Sequence, residues 1–327
     1  MLRFLAPPRK SRLERGRAAA YVEAMADQGM TEHLKQLTAR GRELLGPVLP
    51  KRMRAGTPIV PVVRLSGVIG VSTPLRPGLT LAGAARMLER AFSAKRAKAV
   101  ALVLNSPGGS AVQSHLMFRR IRQLADEKNL PVLAFVEDVA ASGGYMLACA
   151  ADEIVCDPSS IVGSIGVIGA SFGFHEAIGR LGIERRVYTA GENKSTLDPF
   201  LPENPEDVAR LKALQQEIHQ TFIGLVKERR RNLSGPENTL FSGEYWTAKT
   251  ALGYGLIDRI GDLRSVLRER YGKDVLTPLV QGERSWFGRP LPGVGQAHLG
   301  DMFGRAGLAD EIISAIEARA IWARYGL

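Results

Sequence analysis

A chain of 327 residues, 45% of them hydrophobic, is long enough to bury a sizeable core in one large α/β domain with appendages, or in two domains. Its two cysteines, Cys149 and Cys156, lie seven positions apart without the neighbouring Cys or His of a zinc site or redox motif, so they read as buried structural thiols. The net charge of +11 is concentrated at one end: residues 1–56 hold twelve Lys or Arg against five Asp or Glu, without the interleaved aromatics or module of a nucleic-acid binder.

In chain order, residues 1–20 are basic, contain Pro7-Pro8 and read as disordered. Leu34, Leu37, Leu44 and Leu45 fall on one face of an amphipathic helix over residues 31–46, with Thr31 as its cap. The whole arm, residues 1–56, reads either as a membrane-surface or partner-docking element or as a merely solvated basic tail. Met1–Pro8 falls short of a signal-peptide core, and the longest uncharged run, Pro158–Phe174, is too rich in Gly and Ser to span a bilayer. A cytoplasmic protein is therefore expected.

Pro58–Ile69 is the first strong β signal, and its near-continuous apolar character predicts a strand covered on both faces. The main domain is placed at residues 57–272. A helix over Leu81–Ser93 and a buried strand over Ala99–Leu104 follow, and Asn105-Ser-Pro-Gly-Gly-Ser110 turns the chain into a helix ending near Glu127. Residues 132–136 form another buried strand, Ala-Ser-Gly-Gly a tight turn, and Tyr145–Ala151 the start of a helix. Further on, Ile154–Cys156 is a short strand, and Ile161–Ile168 is an apolar segment spaced with glycines, where backbones approach closely. A helix over His175–Leu181, a strand over Arg185–Thr189 and a long charged helix over Pro205–Arg231 come next. Phe241–Gly261 holds a helix and a short closing strand. Residues 273–327 form a Gly/Pro-rich linker and a helix-like stretch from Leu308 to Tyr325.

The alternation of strand and helix predicts a largely parallel sheet with right-handed crossovers. Such sheets carry their sites on the loops at the carboxyl ends of the strands, and both glycine-rich turns fall there, facing one crevice. Ser142 lies in the second turn, at a helix start where unpaired backbone N–H groups favour an oxyanion beside its hydroxyl. It is either a nucleophile or simply an N-cap. Oxyanion donors are available from the backbone of Gly143 and of Gly108 or Gly109, where the lack of a side chain lets a carbonyl come close.

A nucleophilic serine needs a base. His33, His115, His175, His219 and His298 all lack a motif around them. A lysine would have to fall from about 10.4 to about 7–8, roughly 4 kcal/mol of disfavoured charge, which demands enclosure. Lys194, after Ala-Gly-Glu-Asn, stands apart from the lysines of the charged helices, but by spacing alone it reads as a surface turn residue.

Taken together, Asn105-Ser-Pro-Gly-Gly109, Ala141-Ser-Gly-Gly-Tyr145, Ala151-Asp152, Gly163-Ser-Ile-Gly-Val-Ile168, Gly191-Glu-Asn-Lys-Ser195 with Pro199-Phe200, and Gly253-Tyr-Gly-Leu-Ile-Asp258 resemble the SppA-type Ser-Lys peptidases over roughly Ile59–Gly272. The resemblance implies the ClpP/crotonase-like fold, a repeated β-β-α superhelix with a largely parallel sheet, here with helical appendages at both ends. It implies Ser142 as nucleophile, Lys194 as general base, Ser164 as the residue that orients the lysine, and Gly108 or Gly109 with Gly143 as the oxyanion hole. It implies acyl transfer on extended, mainly apolar peptides, with no metal or cofactor. One copy of the domain resembles the ring-forming, octameric type, in which serine and lysine come from neighbouring subunits. Residues 1–56 lack the apolar span of the family's membrane anchor, so only peripheral contact through the basic arm is expected. A crotonase-type acyl-thioester enzyme and a non-catalytic oligomeric scaffold for a membrane-associated partner are the alternatives.

Overall fold

The computed structural model describes residues 56–70, 78–281 and 319–326. The basic arm with its helix over 31–46 and most of residues 273–327 lie outside them. The chain from Pro58 onward forms one compact unit.

Strand β1 (Val62–Ser66) leads to helix α1 (Leu81–Phe92), whose Thr80 cap accepts from the Gly83 N–H. Strand β2 (Val100–Ser106) is followed by α2 (Ala111–Lys128), capped by Ser110 and ended by Asn129 in the left-handed conformation. Strand β3 (Val132–Ala141) runs into the short helix α3 (Gly143–Ala148), and β4 (Glu153–Cys156) and β5 (Ile161–Gly163) come next. Helix α4 (His175–Arg180) stands in an exposed segment that ends at α5 (Pro205–Arg229). Asn204 caps α5, Pro205 starts it, and Glu206 and Asp207 complement its first turn. Helix α6 (Glu237–Leu240), β6 (Tyr245–Thr247), α7 (Ala248–Gly253), β7 (Arg259–Ile260) and α8 (Leu263–Tyr271) close the unit.

The strands form a largely parallel sheet in the order β1-β2-β3-β4-β7, with β5 also on β3 and β6 antiparallel to β5. The α/β architecture is thus as expected, and strands that read as continuous apolar runs are buried on both faces. One cluster lies between the sheet and helices α1, α2, α3 and α5, and a smaller one lies beneath α8.

The structure corrects two elements. The strand expected over residues 132–136 is ten residues long and does two jobs: Leu133–Val136 pairs with β4, and Val139–Ala141 pairs with β5. Glu137 and Asp138, the charged residues just past the expected end, lie inside the strand. They instead mark the pivot, where Glu137 pairs with Arg64 and Asp138 accepts from Asn105 Nδ2 at 2.5 Å. The strand expected over Arg185–Thr189 is absent: these residues are irregular and exposed. A strand needs an edge to pair with, and none pairs with them among the described residues.

Behind α3 lies a buried polar cluster. Arg230 reaches both carboxylate oxygens of Asp258 at 2.8 Å and the Gly255 carbonyl at 3.0 Å, while Asp258 also accepts from the Ile154 N–H at 2.7 Å. The Tyr145 hydroxyl donates to the Leu256 carbonyl at 2.7 Å. Burial pushes the neighbouring Cys149 thiol up from its ordinary 9.0 to about 12, and it raises Tyr145 and Cys156 as well.

Two outcomes follow from this cluster. Asp258→Ala leaves a buried guanidinium with carbonyl partners only, and because Asp258 is a third exposed the loss is about 2–3 kcal/mol in urea unfolding. Between pH 9 and about 12 the unfolded chain loses the Cys149 proton while the folded chain keeps it, so stability present below pH 9 falls as pH rises through this window. Cys149→Ala flattens that fall in a thermal-melting series, whereas an unchanged slope would remove Cys149 from the account.

Candidate active site

Ser142 is the N-cap of α3 by position, yet its side chain makes no capping bond. The hydroxyl is therefore not consumed by the helix start. Its backbone sits at φ 51° and ψ −122°, a strained conformation for a residue with a side chain. Two contacts hold it there: the Ser142 N–H donates to the Gly163 carbonyl at 2.8 Å, and the Ser142 carbonyl accepts from Met146 at 3.0 Å.

The two glycine-rich turns do meet. A methyl group on Gly108 would lie 2.8 Å from Ser142 Cβ and 2.9 Å from the Gly143 nitrogen, so only glycine allows this approach. Gly109 faces elsewhere: a methyl there would strike the Ile69 carbonyl oxygen at 2.2 Å. The pair Gly108 and Gly143 flanks Ser142, whereas Gly109 bridges to Ile69, three residues past the end of β1. Ser106 holds the first turn, donating to the Gly67 carbonyl at 2.6 Å and accepting from the Gly108 N–H at 3.3 Å. Gly144 packs on the same loop, its missing methyl 2.4 Å from the Ser106 carbonyl oxygen.

Register places the second serine. Ala141 pairs with Gly163 across parallel β3 and β5, so the next residues, Ser142 and Ser164, leave the two strands side by side. Ser164 is buried at φ 53°, with its N–H on the Glu244 carbonyl at 2.6 Å. Its Oγ accepts from the Tyr325 hydroxyl at 3.3 Å.

Lys194 is not brought to this cluster. It lies exposed in the irregular segment between α4 and α5, and among the described residues its ammonium makes no hydrogen bond or ion pair. None of the three described histidines is bonded to Ser142: His115 stacks on Phe118, His175 starts α4, and His219 lies 3.0 Å from the Ile165 carbonyl. His219 thus steadies the turn that carries Ser164, a contact invisible in the sequence because 54 residues separate the partners. Tyr325 was likewise only a late aromatic in a helix-like stretch.

The described residues present an α/β sheet with an uncapped serine on a glycine-flanked turn, and comparison with known proteins shows what the chain is similar to. Residues 124–274 match the model of Peptidase family S49. A protein of Brucella abortus named Na(+)/H(+) antiporter NhaA is 56% identical over 296 residues, 87% of this chain and 39% of that protein. The chloroplastic serine protease SPPA of Arabidopsis thaliana is 31% identical over 282 residues, 82% of this chain and 41% of that one. The probable protease SohB of Buchnera aphidicola is 35% identical over 170 residues, 51% of this chain and 49% of that one. This chain therefore spans only about two fifths to one half of these relatives. The matched stretch, residues 124–274, is that of Peptidase family S49, and the chain is similar to the SppA- and SohB-type proteases.

The close glycine packing is testable by stability. Gly144→Ala must push the Ser106 loop away and is expected to cost about 2–3 kcal/mol. Gly224→Ala, in the middle of α5 with open space around it, is expected to gain about 0.5–1 kcal/mol. Chemical denaturation of the two variants checks both signs.

Proposed function

We propose that the protein is a serine endopeptidase acting on extended, mainly apolar peptides, with Ser142 as nucleophile and Lys194 as general base. The observation that carries this is the uncommitted Ser142 hydroxyl, held in a strained turn between Gly108 and Gly143 and beside Ser164. The match of residues 124–274 to the model of Peptidase family S49 supports it.

In this reading the neutral Lys194 amine takes the Ser142 proton as Oγ bonds to the substrate carbonyl carbon. The resulting oxyanion rests on the Gly108 and Gly143 N–H groups. The C–N bond then breaks, Lys194 returns the proton to the leaving amine, and water hydrolyses the acyl-enzyme by the same route. Ser164 orients the lysine.

The Lys194 that serves a given Ser142 belongs to a neighbouring copy in a ring-shaped homo-oligomer. Two features favour this. Lys194 lies exposed in its own chain, apart from Ser142. Its segment and the adjoining α5 also expose Ile168, Phe172, Leu181, Ile183, Tyr188, Leu214 and Ile218, more apolar surface than a lone subunit ordinarily shows. The exposed Arg185–Thr189 stretch would find its missing strand edge in the same contact. We place the assembly in the cytoplasm, at a membrane surface reached through the basic residues 1–56. Among the described residues no helix is long and apolar enough to cross a membrane.

A fluorophosphonate is expected to label the wild type and neither Ser142→Ala nor Lys194→Ala. The rate should rise with pH to an alkaline plateau; control by a group near pH 6 would point to histidine instead. Mixing the two inactive variants should restore peptide cleavage to about a quarter of the wild-type rate, since random neighbours complete that share of sites. Labelling that survives either substitution sinks the dyad, and a silent mixture of folded variants sinks the shared site.

A further inference from the structure

Ser164 can orient an amine only if the turn that carries it stays in place. Strand β5 ends at Gly163, so the peptide groups of Ser164, Ile165 and Gly166 lie beyond the strand ladder and need other partners. The loop before β6 supplies some of them: the Ser164 N–H reaches the Glu244 carbonyl, and a methyl on Gly166 would lie 3.0 Å from Gly243 Cα. The Gly166 N–H turns back to the Ser164 carbonyl at 3.0 Å. The Ile165 carbonyl is left over. Ile165 has no exposed surface, and among the described residues no backbone N–H donates to its carbonyl. Its partner is His219 Nε2 on α5, at 3.0 Å.

Leu211, Gln215 and His219 recur every fourth residue as a half-buried stripe of α5, and the positions between them are exposed. The stripe lies along the segment that follows Ser164: a methyl on Gly169 would meet Gln215 Nε2 at 2.9 Å and Leu211 Cδ2 at 3.8 Å. A leucine at position 219 would make this stripe more apolar, whereas histidine supplies the donor that a buried carbonyl requires. Carbonyl oxygens only accept, so Nε2 carries the proton in either charge state of the ring, and the bond does not depend on its titration. Near its start the same helix holds the Lys194 segment, where Asp207 accepts from the Leu197 N–H at 3.3 Å.

We propose that His219 is a positioning residue of the peptidase site. Its Nε2–H pins the Ile165 carbonyl, and that bond fixes the neighbouring Ser164 hydroxyl where an incoming lysine amine must meet it. His219 is not bonded to Ser142 and acts through Ser164. Loss of the bond leaves a buried carbonyl unpaired, so the turn rotates to find a donor and carries Ser164 with it. A shift of about 1 Å in such a group is enough to cost a large factor in rate. This deepens the peptidase reading and rests on it.

The test follows cleavage of a fluorogenic apolar tetrapeptide by full-length wild type, His219→Leu and His219→Gln, each shown to be folded by thermal melting. His219→Leu should lower kcat at least about tenfold and leave KM within about twofold, because the group it disturbs serves the reaction rather than substrate binding. His219→Gln carries an N–H at the same distance along the side chain and should recover to within about threefold of wild type. In a Ser164→Ala background, His219→Leu should remove less than a further factor of about two. A merely structural role would give the same loss with and without the Ser164 hydroxyl, and that result overturns the proposal, as does a wild-type kcat in His219→Leu. Hydrogen exchange over residues 164–169 reads the contact without turnover: His219→Leu should accelerate it at least about tenfold and His219→Gln should not. Unchanged exchange in His219→Leu overturns the proposal whether or not the protein cleaves peptide. If wild type cleaves nothing and exchange responds as expected, the contact stands and the peptidase reading is the one rejected.

Discussion

The site depends on one register, the pairing of Ala141 with Gly163 across two parallel strands. Parallel pairing carries neighbouring strands forward in step, so Ser142 and Ser164 emerge together. Both do so at positive φ, an arrangement that costs on the order of 1–3 kcal/mol per residue and persists only when its surroundings over-determine it. The surroundings here are backbone bonds from both serines and glycine contacts with no clearance. A slip of one residue between β3 and β5 would turn the side chains of one strand to the wrong face and part the two hydroxyls.

A base for Ser142 raises the opposite problem. A lysine becomes a proton acceptor near neutral pH only when water is withdrawn from it, and Lys194 stands in water. The described chain thus holds a serine fixed by its backbone and an unenclosed amine in different settings. Burying the apolar side chains around Lys194 against a second copy would supply the free energy that offsets its dehydration. In the proposed scheme assembly and activation are then one event.

The motif residues divide by role. Asp152 accepts from the Val132 N–H and from Arg122 and Arg229, tying α2 and α5 to the start of β3. Asp258 gathers Arg230 and β4, and Tyr145 anchors α3 to the Leu256 carbonyl. These three residues sit in the same signature segments as the serines and glycines, but they hold the sheet and helices that aim Ser142. Cys149 and Cys156 are free and buried, with thiols that burial keeps protonated, so they take no part in nucleophilic chemistry.

Most of the fold was legible because its signals are local. Apolar runs of strand length, capping residues such as Ser110 and Asn204, and left-handed ends such as Asn129 are written within a few positions of the elements they make. The exceptions are non-local. Glu137 and Asp138 look like a strand end until their partners Arg64 and Asn105, 73 and 33 residues away, are in place. Arg185–Thr189 has strand composition but pairs with no edge among the described residues. For the site, the sequence determined by itself that Ser142 follows a buried strand on a glycine turn and that a second such turn lies upstream. Only the tertiary structure decided that Gly108 rather than Gly109 touches Ser142, that the hydroxyl is free of capping, that Ser164 stands beside it, and that Tyr325 reaches Ser164 across 161 residues. The reason is physical: propensity and periodicity act over a few residues, whereas register, steric clearance and enclosure arise only when distant segments pack against one another.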